Sequence, residues 1–267
     1  IHKRLTTPSD PSEAVLEGVK ALAAENKVAL RDIVEIVHGT TLVTNAVIER
    51  KGAKTGMLVT AGFGDIMDMG LERRYDLYDL KIKYPAPLVR RAHRVEVRER
   101  VRHDGSVETA LDEAGVAAAA GRFRELGVEA VAVCFLHSYA NPAHELRATE
   151  ILRTVAPGLF VSGSSEVFPN MREFERWTTT TVNAFTGPMF DRYLGRLSQG
   201  LATMGFQGQV FIMTSSGGVL APETARLFPV RMLESGPAAG VLMSSLHGRS
   251  LGESELLSYD MGGTTAK

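Results

Sequence analysis

The chain has 267 residues, of which 44% are hydrophobic and 23% charged, and its 30 basic and 31 acidic residues leave a formal net charge of -1. This composition is typical of a globular protein, and the charge balance argues against nucleic acid or an anionic membrane as a partner. The longest apolar run, 130–136, is much shorter than the roughly 18 residues that span a bilayer. The lone cysteine, Cys134, excludes an intrachain disulfide and fits a reducing compartment, so we expect a cytoplasmic protein.

Helices and strands are predicted to alternate in the first part of the chain. The predicted elements are a helix over 8–26, a strand over 34–37, a helix over 42–50, a strand over 55–59, a helix over 111–126, a strand over 128–136, a helix over 145–155 and a strand over 159–162. The near-alternation over 95–102, which only Glu99 interrupts, predicts a half-exposed antiparallel strand. Asp104-Gly105 predicts the hairpin turn that follows it.

The same rhythm continues in the last third of the chain. The predicted elements are a helix over 171–201 with a break at Gly187-Pro188, a strand over 209–213, a helix over 222–227, a strand over 230–233, a helix over 238–246 and a strand over 256–259. Strands that alternate with helices, beside one polar hairpin, predict an α/β fold with mixed sheets and flanking helices.

The strongest candidate for phosphate chemistry follows the last predicted strand, in the sequence Asp-Met-Gly-Gly-Thr-Thr. Gly262 and Gly263 allow a tight turn whose N–H groups face an anion, and Thr264 and Thr265 add hydroxyl donors. Asp260, at the strand end, can hold a magnesium-bound water or orient a nucleophile. The alternative is an ordinary β-hairpin turn, which the pattern alone leaves equally open.

A second candidate, His38-Gly39-Thr40-Thr41, lies between a predicted strand and a predicted helix. Its small residues and hydroxyls suit an anion or a polar substrate at a helix N-terminus. The plainer interpretation is a threonine N-cap beside a histidine with its own partner, and the pattern alone favours it. The segment 214–218 has the same form and the same two interpretations.

Two arginines at the start of the long helix, Arg172 and Arg176, are candidate anion partners, although the segment could equally be a solvated helix face. The threonine run 178–181 is unusual in a helix and makes a functional face more credible. His137 and His144 lack the spacing of a metal-ligand pair on one helix, so no structural metal site is predicted.

Six segments, in order along nearly the whole chain, resemble one family, the ATP-dependent hydantoinase A and 5-oxoprolinase family, which includes N-methylhydantoinases and subunits of acetone and acetophenone carboxylases. The six segments are 6–11, 38–50 with its His-Gly-Thr-Thr, 77–89, 164–184, 234–241 and 260–264. The resemblance implies a partial actin-like ATPase (ribonuclease H-like) fold, in which two glycine-rich hairpins clamp the nucleotide phosphates. It also implies a first region over 1–163 and the start of an ATPase-like domain over 164–267.

The resemblance further implies ATP and Mg²⁺ as cofactors, together with a set of site residues. The implied roles are catalysis for Asp260 and His38, metal binding for Asp260, cofactor binding for Gly262, Gly263, Thr264 and Thr265, and substrate binding for Thr40, Thr41, Arg172 and Arg176. The family's first phosphate loop, an Asp-x-Gly-Gly-Thr motif, does not appear in this sequence. We therefore expect a piece of a larger subunit that is inactive on its own.

The activity implied for the larger protein is ATP-dependent hydrolysis of cyclic amides of the hydantoin, N-methylhydantoin or 5-oxoproline type, by phosphorylation of the amide carbonyl. One alternative is a subunit of an ATP-dependent ketone carboxylase, and another is a non-catalytic assembly subunit. The implied partners are a small cyclic amide or ketone, a hydantoinase B-like second subunit and further copies in an oligomer.

Overall fold

The computed structural model describes residues 2–7, 9–71, 76 and 78–261. Contacts divide the chain into two compact units, one formed by residues 1–51 and 189–267 and the other by residues 52–188. The second unit is thus inserted within the sequence of the first. The division of the sequence into 1–163 and 164–267 stays a prediction, since it concerns family regions rather than compact units. In the described ranges, no helix combines the length and the apolar character needed to cross a membrane.

Short strands and longer helices alternate along both units. The strands are β1 (Glu35–His38), β2 (Thr55–Thr60), β3 (Arg94–Val97), β4 (Arg100–Val101), β5 (Val107–Thr109), β6 (Ala130–Cys134), β7 (Phe160–Gly163), β8 (Gln209–Met213) and β9 (Val219–Leu220). The α-helices are α1 (Pro11–Glu25), α2 (Leu42–Ile48), α3 (Ile66–Met69), α4 (Glu113–Glu125), α5 (Ala143–Val155), α6 (Ser164–Val167), α7 (Glu173–Thr203), α8 (Pro222–Leu227) and α9 (Ser235–Leu251). The predicted α/β class with mixed sheets and flanking helices is confirmed.

The unit of residues 52–188 is built on a parallel sheet with the strand order β3-β2-β6-β7. The inner strands β2 and β6 are buried along their whole length, because helices cover both faces of the sheet. Alternate residues of β6 face two different cores. One core contains Phe123 of α4 and Leu152 of α5, and the other contains Trp177 of α7. The continuous apolar run 130–136 is therefore the centre of this unit.

The unit of residues 1–51 and 189–267 contains a smaller sheet with the order β1-β8-β9, in which β1 and β8 are parallel and β9 is antiparallel to β8. Its core packs Val43 of α2 and Ile212 of β8 against Phe190, Leu197 and Leu201 of α7. Pairing of β1 with β8 joins segments that are far apart in the sequence. The carboxyl ends of these two strands meet at one edge, which positions the site described below.

The polar hairpin is confirmed only in its second half. The alternation over 95–102 predicts one antiparallel strand, but the structure divides it between β3, which is parallel to β2, and β4, which is antiparallel to β5. The division falls at Glu99, whose buried carboxylate bonds to Thr60 and His144 instead of facing solvent. The turn at Asp104-Gly105 forms as predicted, with Gly105 at φ 83°.

Three further predictions are wrong. The predicted strand over 230–233 is instead a 3₁₀-helix, Pro229–Met232, in which the N–H groups of Arg231 and Leu233 donate to the carbonyl oxygens of Phe228 and Val230. Residues 256–259 form no strand, because no strand pairs with them among the described residues. Helix α7 continues through Gly187-Pro188 without a break. The residues around Pro188, such as Phe185 and Phe190, are buried, and packing on these side chains compensates for the lost helical hydrogen bond.

Candidate functional site

The loops that follow β1 and β8 lie side by side, because the two strands are parallel and in register from Glu35 with Gln209 to His38 with Ile212. A Cβ atom added at Gly39 would lie 3.8 Å from Met213 Cβ and 4.0 Å from the carbonyl oxygen of Ser235. The edge therefore brings together the loop 38–41, the start of the loop 214–218 and the N-terminus of α9. These are three of the segments that the sequence singles out.

Ser235, the first residue of α9, fastens this helix to the loop after β1. Its side chain is completely buried, and its hydroxyl donates to the carbonyl oxygen of Thr40 at 3.0 Å and lies 3.5 Å from the Thr40 nitrogen. The preceding residue, Glu234, has φ 60°, and its N–H donates to Thr44 Oγ1 at 3.0 Å. The N-terminus of α9 is thus held against the loop and α2 by backbone and hydroxyl bonds.

His38 ends β1 with a defined hydrogen-bond partner. Its Nε2 lies 2.7 Å from the hydroxyl of Tyr193 on α7. Desolvation lowers the pKa of His38 to about 4, and burial raises the pKa of Tyr193 to about 12. Near neutral pH the imidazole is therefore neutral and the phenol protonated, and the tautomer of His38 decides which of the two groups donates. An uncharged ring in this position can orient a substrate or take a proton, but it does not supply a fixed positive charge.

The two threonines after His38 have different environments. Thr40 Oγ1 accepts from the N–H of Leu42, the first residue of α2, at 3.2 Å, which forms a local turn before the helix. Thr41 is exposed, and its hydroxyl lies 3.4 Å from Asn45 Nδ2. The N-cap residue of α2 is Thr41, and its side chain makes no capping hydrogen bond. The hydroxyl of Thr41 remains accessible to a ligand.

The loop after β8 is closed by its own hydrogen bonds. The N–H of Thr214 donates to the carbonyl oxygen of Gly218 at 2.8 Å, and the Thr214 and Ser216 hydroxyls are 3.0 Å apart. Gly217 has φ 82°, a conformation that favours glycine. Ser215 is held by the carbonyl oxygen of Arg231 through both its N–H and its hydroxyl. This loop has a preformed shape at the edge of the sheet.

The two arginines proposed as anion partners belong to the unit of residues 52–188 and differ sharply. Arg176 is completely buried and donates to Ser164 Oγ at 3.1 Å and to the carbonyl oxygens of Asn170 at 2.8 Å and Phe135 at 3.1 Å. Arg172 is 70% exposed and lies 3.8 Å from Glu175. Protein acceptors occupy Arg176, so its contacts support a structural role, and we do not propose it as a substrate ligand.

The phosphate motif lies at the limit of the structure. Asp260 is exposed, whereas Gly262, Gly263, Thr264 and Thr265 lie outside the described residues. Among the residues that the structure describes, no group of three or more His, Cys, Asp or Glu is placed to hold a metal ion. The roles of this motif in binding phosphate and magnesium therefore stay predictions.

Two residues of the candidate site have no counterpart among the predicted site residues. Tyr193 lies in the middle of a long helix, where nothing in the local sequence distinguishes a partner for His38 from a core aromatic residue. Ser235 belongs to the segment 234–241, whose small residues indicate close helix packing rather than contact with a loop. Only the pairing of β1 with β8 reveals both.

Comparison with known proteins places this α/β chain in a defined class. Residues 1–156 match the family model for the hydantoinase/oxoprolinase N-terminal region, and residues 176–267 match the hydantoinase/oxoprolinase model. Caprolactamase subunit alpha of Pseudomonas jessenii is 34% identical over 99% of this chain and 39% of its own length. The 5-oxoprolinase 1 of Arabidopsis thaliana is 32% identical over 97% of this chain and 22% of its own length.

Solved structures agree with these matches. A nucleotide-free acetone carboxylase superposes with a TM-score of 0.88 at 25% identity, over 98% of this chain and 39% of that chain. ATP-dependent caprolactamase from Pseudomonas jessenii gives a TM-score of 0.86 at 34% identity over the same shares. The chain belongs to the hydantoinase/oxoprolinase family and spans about two fifths or less of the length of these relatives.

Proposed function

We propose that this chain is part of an ATP-dependent hydrolase of cyclic amides, of the hydantoin, N-methylhydantoin or 5-oxoproline type. The observation that supports the proposal is the edge formed by β1 and β8. The loop 38–41, the start of the loop 214–218 and the N-terminus of α9 meet there. Relatives named caprolactamase and 5-oxoprolinase support the substrate class. Because the chain spans only part of those relatives, the activity is proposed for a protein that contains it.

The proposed reaction activates the amide by phosphorylation. The amide carbonyl oxygen attacks the γ-phosphorus of ATP, the bond to the bridging oxygen breaks, and ADP leaves with that electron pair. Water then adds to the carbon of the phosphorylated imidate, and the ring C–N bond breaks to give an amine and an acyl phosphate. A second water releases phosphate and the carboxylate. Phosphoryl transfer of this kind depends mainly on positioning and charge neutralisation.

The residues of the chain fit such a site in part. The loop 38–41 offers a neutral imidazole and the exposed hydroxyl of Thr41, which suit an uncharged polar substrate. Asp260 is exposed and has the oxygen ligands that Mg²⁺ prefers. When bound, Mg²⁺ would neutralise phosphate charge during transfer. We assign catalysis to Asp260 and His38, and phosphate binding to residues 262–265.

A ketone carboxylase subunit is the second candidate function. The structural similarity to acetone carboxylase favours it, as does a relative named acetophenone carboxylase gamma subunit from Aromatoleum aromaticum, which is 30% identical over 99% of this chain and 38% of its own length. Both candidate activities begin by phosphorylating an oxygen of the substrate or of bicarbonate. The names of these relatives also support a multi-subunit assembly, for which we propose a hydantoinase B-like second subunit.

The test is an assay of ADP release by the complete protein with its second subunit, in the presence of hydantoin, N-methylhydantoin, 5-oxoproline or acetone with bicarbonate. We expect a cyclic amide to stimulate ADP release, with formation of the ring-opened product. Asp260→Asn should abolish the stimulation, whereas Arg31→Gln, at a position 76% exposed and outside the candidate site, should preserve it. Stimulation by acetone and bicarbonate alone would establish the carboxylase, and ATP binding without turnover on any substrate would establish an assembly role.

A further inference from the structure

The unit of residues 52–188 contains a cavity that plays no part in the site described above. It has a volume of about 590 Å³ and lies between the segments 67–71 and 84–88 and one face of α7. That face presents Phe174, Thr178 and Thr181, spaced as neighbours on a helix surface. The volume falls within the range of small-molecule binding sites, and such sites are mostly apolar with a few polar groups.

The one charged side chain on the described walls of the cavity is neutralised by a partner within the protein. Asp68 is the one charged residue among the described residues that line it. Both oxygens of its carboxylate bond to the guanidinium of Arg94, which is buried and also donates to the carbonyl oxygens of Gly64 and Val89. A charged ligand would therefore find no free counter-ion on the described walls, and its desolvation would go uncompensated. The described part of the lining therefore favours an uncharged ligand.

The threonines of α7 distinguish the cavity face from the rest of the helix. Thr179, Thr180 and Thr186 each donate to the carbonyl oxygen four residues earlier, the usual arrangement for threonine in a helix. On the cavity face, Thr178 Oγ1 is buried and has no hydrogen-bond partner among the described residues, and Thr181 Oγ1 contacts only Met57 Sδ at 3.7 Å. Rotation about χ1 exchanges hydroxyl and methyl, so either group can face a ligand.

From these observations we propose that the cavity binds a compact, uncharged ring molecule with an apolar body and one polar group that bonds to Thr178. An unsubstituted lactam is the simplest molecule of this class. The ring would pack against Phe174 and the apolar side chains of Met67 and Leu88. The inference concerns binding alone, so it holds or fails independently of the ATP-dependent reaction.

The test compares two lactams that differ by one carboxylate, 2-pyrrolidinone and 5-oxoproline, by fluorescence titration of the chain. Trp177 is the only tryptophan in the sequence, is completely buried and adjoins Thr178, so its emission reports on the cavity. We expect saturable binding of 2-pyrrolidinone at least about tenfold tighter than that of 5-oxoproline. The proposal is overturned by equal or tighter binding of 5-oxoproline, or by no saturable response to 2-pyrrolidinone.

Two variants and one control variant locate the bound ring. Thr178→Val should weaken binding of 2-pyrrolidinone about fivefold, whereas Thr179→Val, whose hydroxyl donates to Glu175, should leave it unchanged. Leu71→Lys, at a position 44% exposed on the cavity wall, should raise the affinity for 5-oxoproline relative to 2-pyrrolidinone, and this readout remains if Thr178→Val fails to fold. An unchanged affinity ratio in Leu71→Lys, or equal effects of the two threonine variants, would contradict the assignment.

Discussion

Replacing Arg176 by methionine tests whether the buried guanidinium is structural. Methionine keeps a long apolar side chain but removes the donors that now bond to Ser164, Asn170 and Phe135. Two of those acceptors are backbone carbonyl oxygens that no longer have this partner once the guanidinium is gone. The matched control is Arg172→Met, four residues earlier, where the side chain is 70% exposed.

The expected cost follows from the burial of these groups. Each of the two carbonyl oxygens that loses its donor costs about 1–3 kcal/mol, and the Ser164 hydroxyl loses a hydrogen bond as well. We therefore expect Arg176→Met to lower the free energy of unfolding by about 3–5 kcal/mol, a large fraction of a typical domain's stability. Arg172→Met should change it by less than about 0.5 kcal/mol.

Urea denaturation measures the difference. The single tryptophan, Trp177, belongs to the unit of residues 52–188, so its fluorescence follows the unfolding of that unit. Circular dichroism supplies an independent signal for the whole chain. The reasoning is refuted if Arg176→Met stays within about 1 kcal/mol of the parent chain, or if the two variants are equally destabilised.

Three further predictions concern the other unit and the hairpin. Burial lowers the pKa of His38 from 6.5 to about 4, so the neutral ring contributes fully to the free energy of unfolding above pH 6.5. As the pH drops towards 4, the free energy of unfolding falls by up to about 1.4 kcal/mol per pH unit. Urea denaturation of His38→Gln across this pH range should lack this pH-dependent component. Ser235→Ala should cost about 1–3 kcal/mol in thermal unfolding and Ser250→Ala, on the exposed end of α9, much less. Gly105→Ala, at φ 83°, should cost about 1–2 kcal/mol, whereas Gly158→Ala, in open space, should cost nothing measurable in the same assay.

Much of the fold could be predicted because local patterns and tertiary structure agree. Helix α1 begins where Asp10 caps it and Pro11 opens it, and β6 coincides with the longest apolar run. The prediction and the structure disagree where contacts between residues far apart in the sequence determine the local structure. Pro188 predicts a helix break that the packing of its neighbours overrides, and Glu99 is buried although it is an acidic residue, because Thr60 and His144 supply its partners.

The candidate site could be predicted only in pieces. The segments 38–41, 214–218 and 234–241 stand out in the sequence by their glycines and hydroxyls, but nothing in them indicates that they meet. Their meeting depends on the parallel register of β1 with β8, a non-local feature. The same limit applies to Arg176. An arginine in a helix is predicted to face solvent, and only the structure shows that this one is buried among acceptors.

The insertion of residues 52–188 has a consequence for the order of folding. Strands β1 and β8 lie on opposite sides of this insertion, so their pairing closes a very long loop, and the entropy of that closure opposes it in the unfolded chain. The inserted unit, however, brings its own ends together, because the N–H of Ala53 donates to the carbonyl oxygen of Phe185 at 2.8 Å. Folding of that unit removes most of the closure entropy, so we expect the β1–β8 edge with its loops to form last.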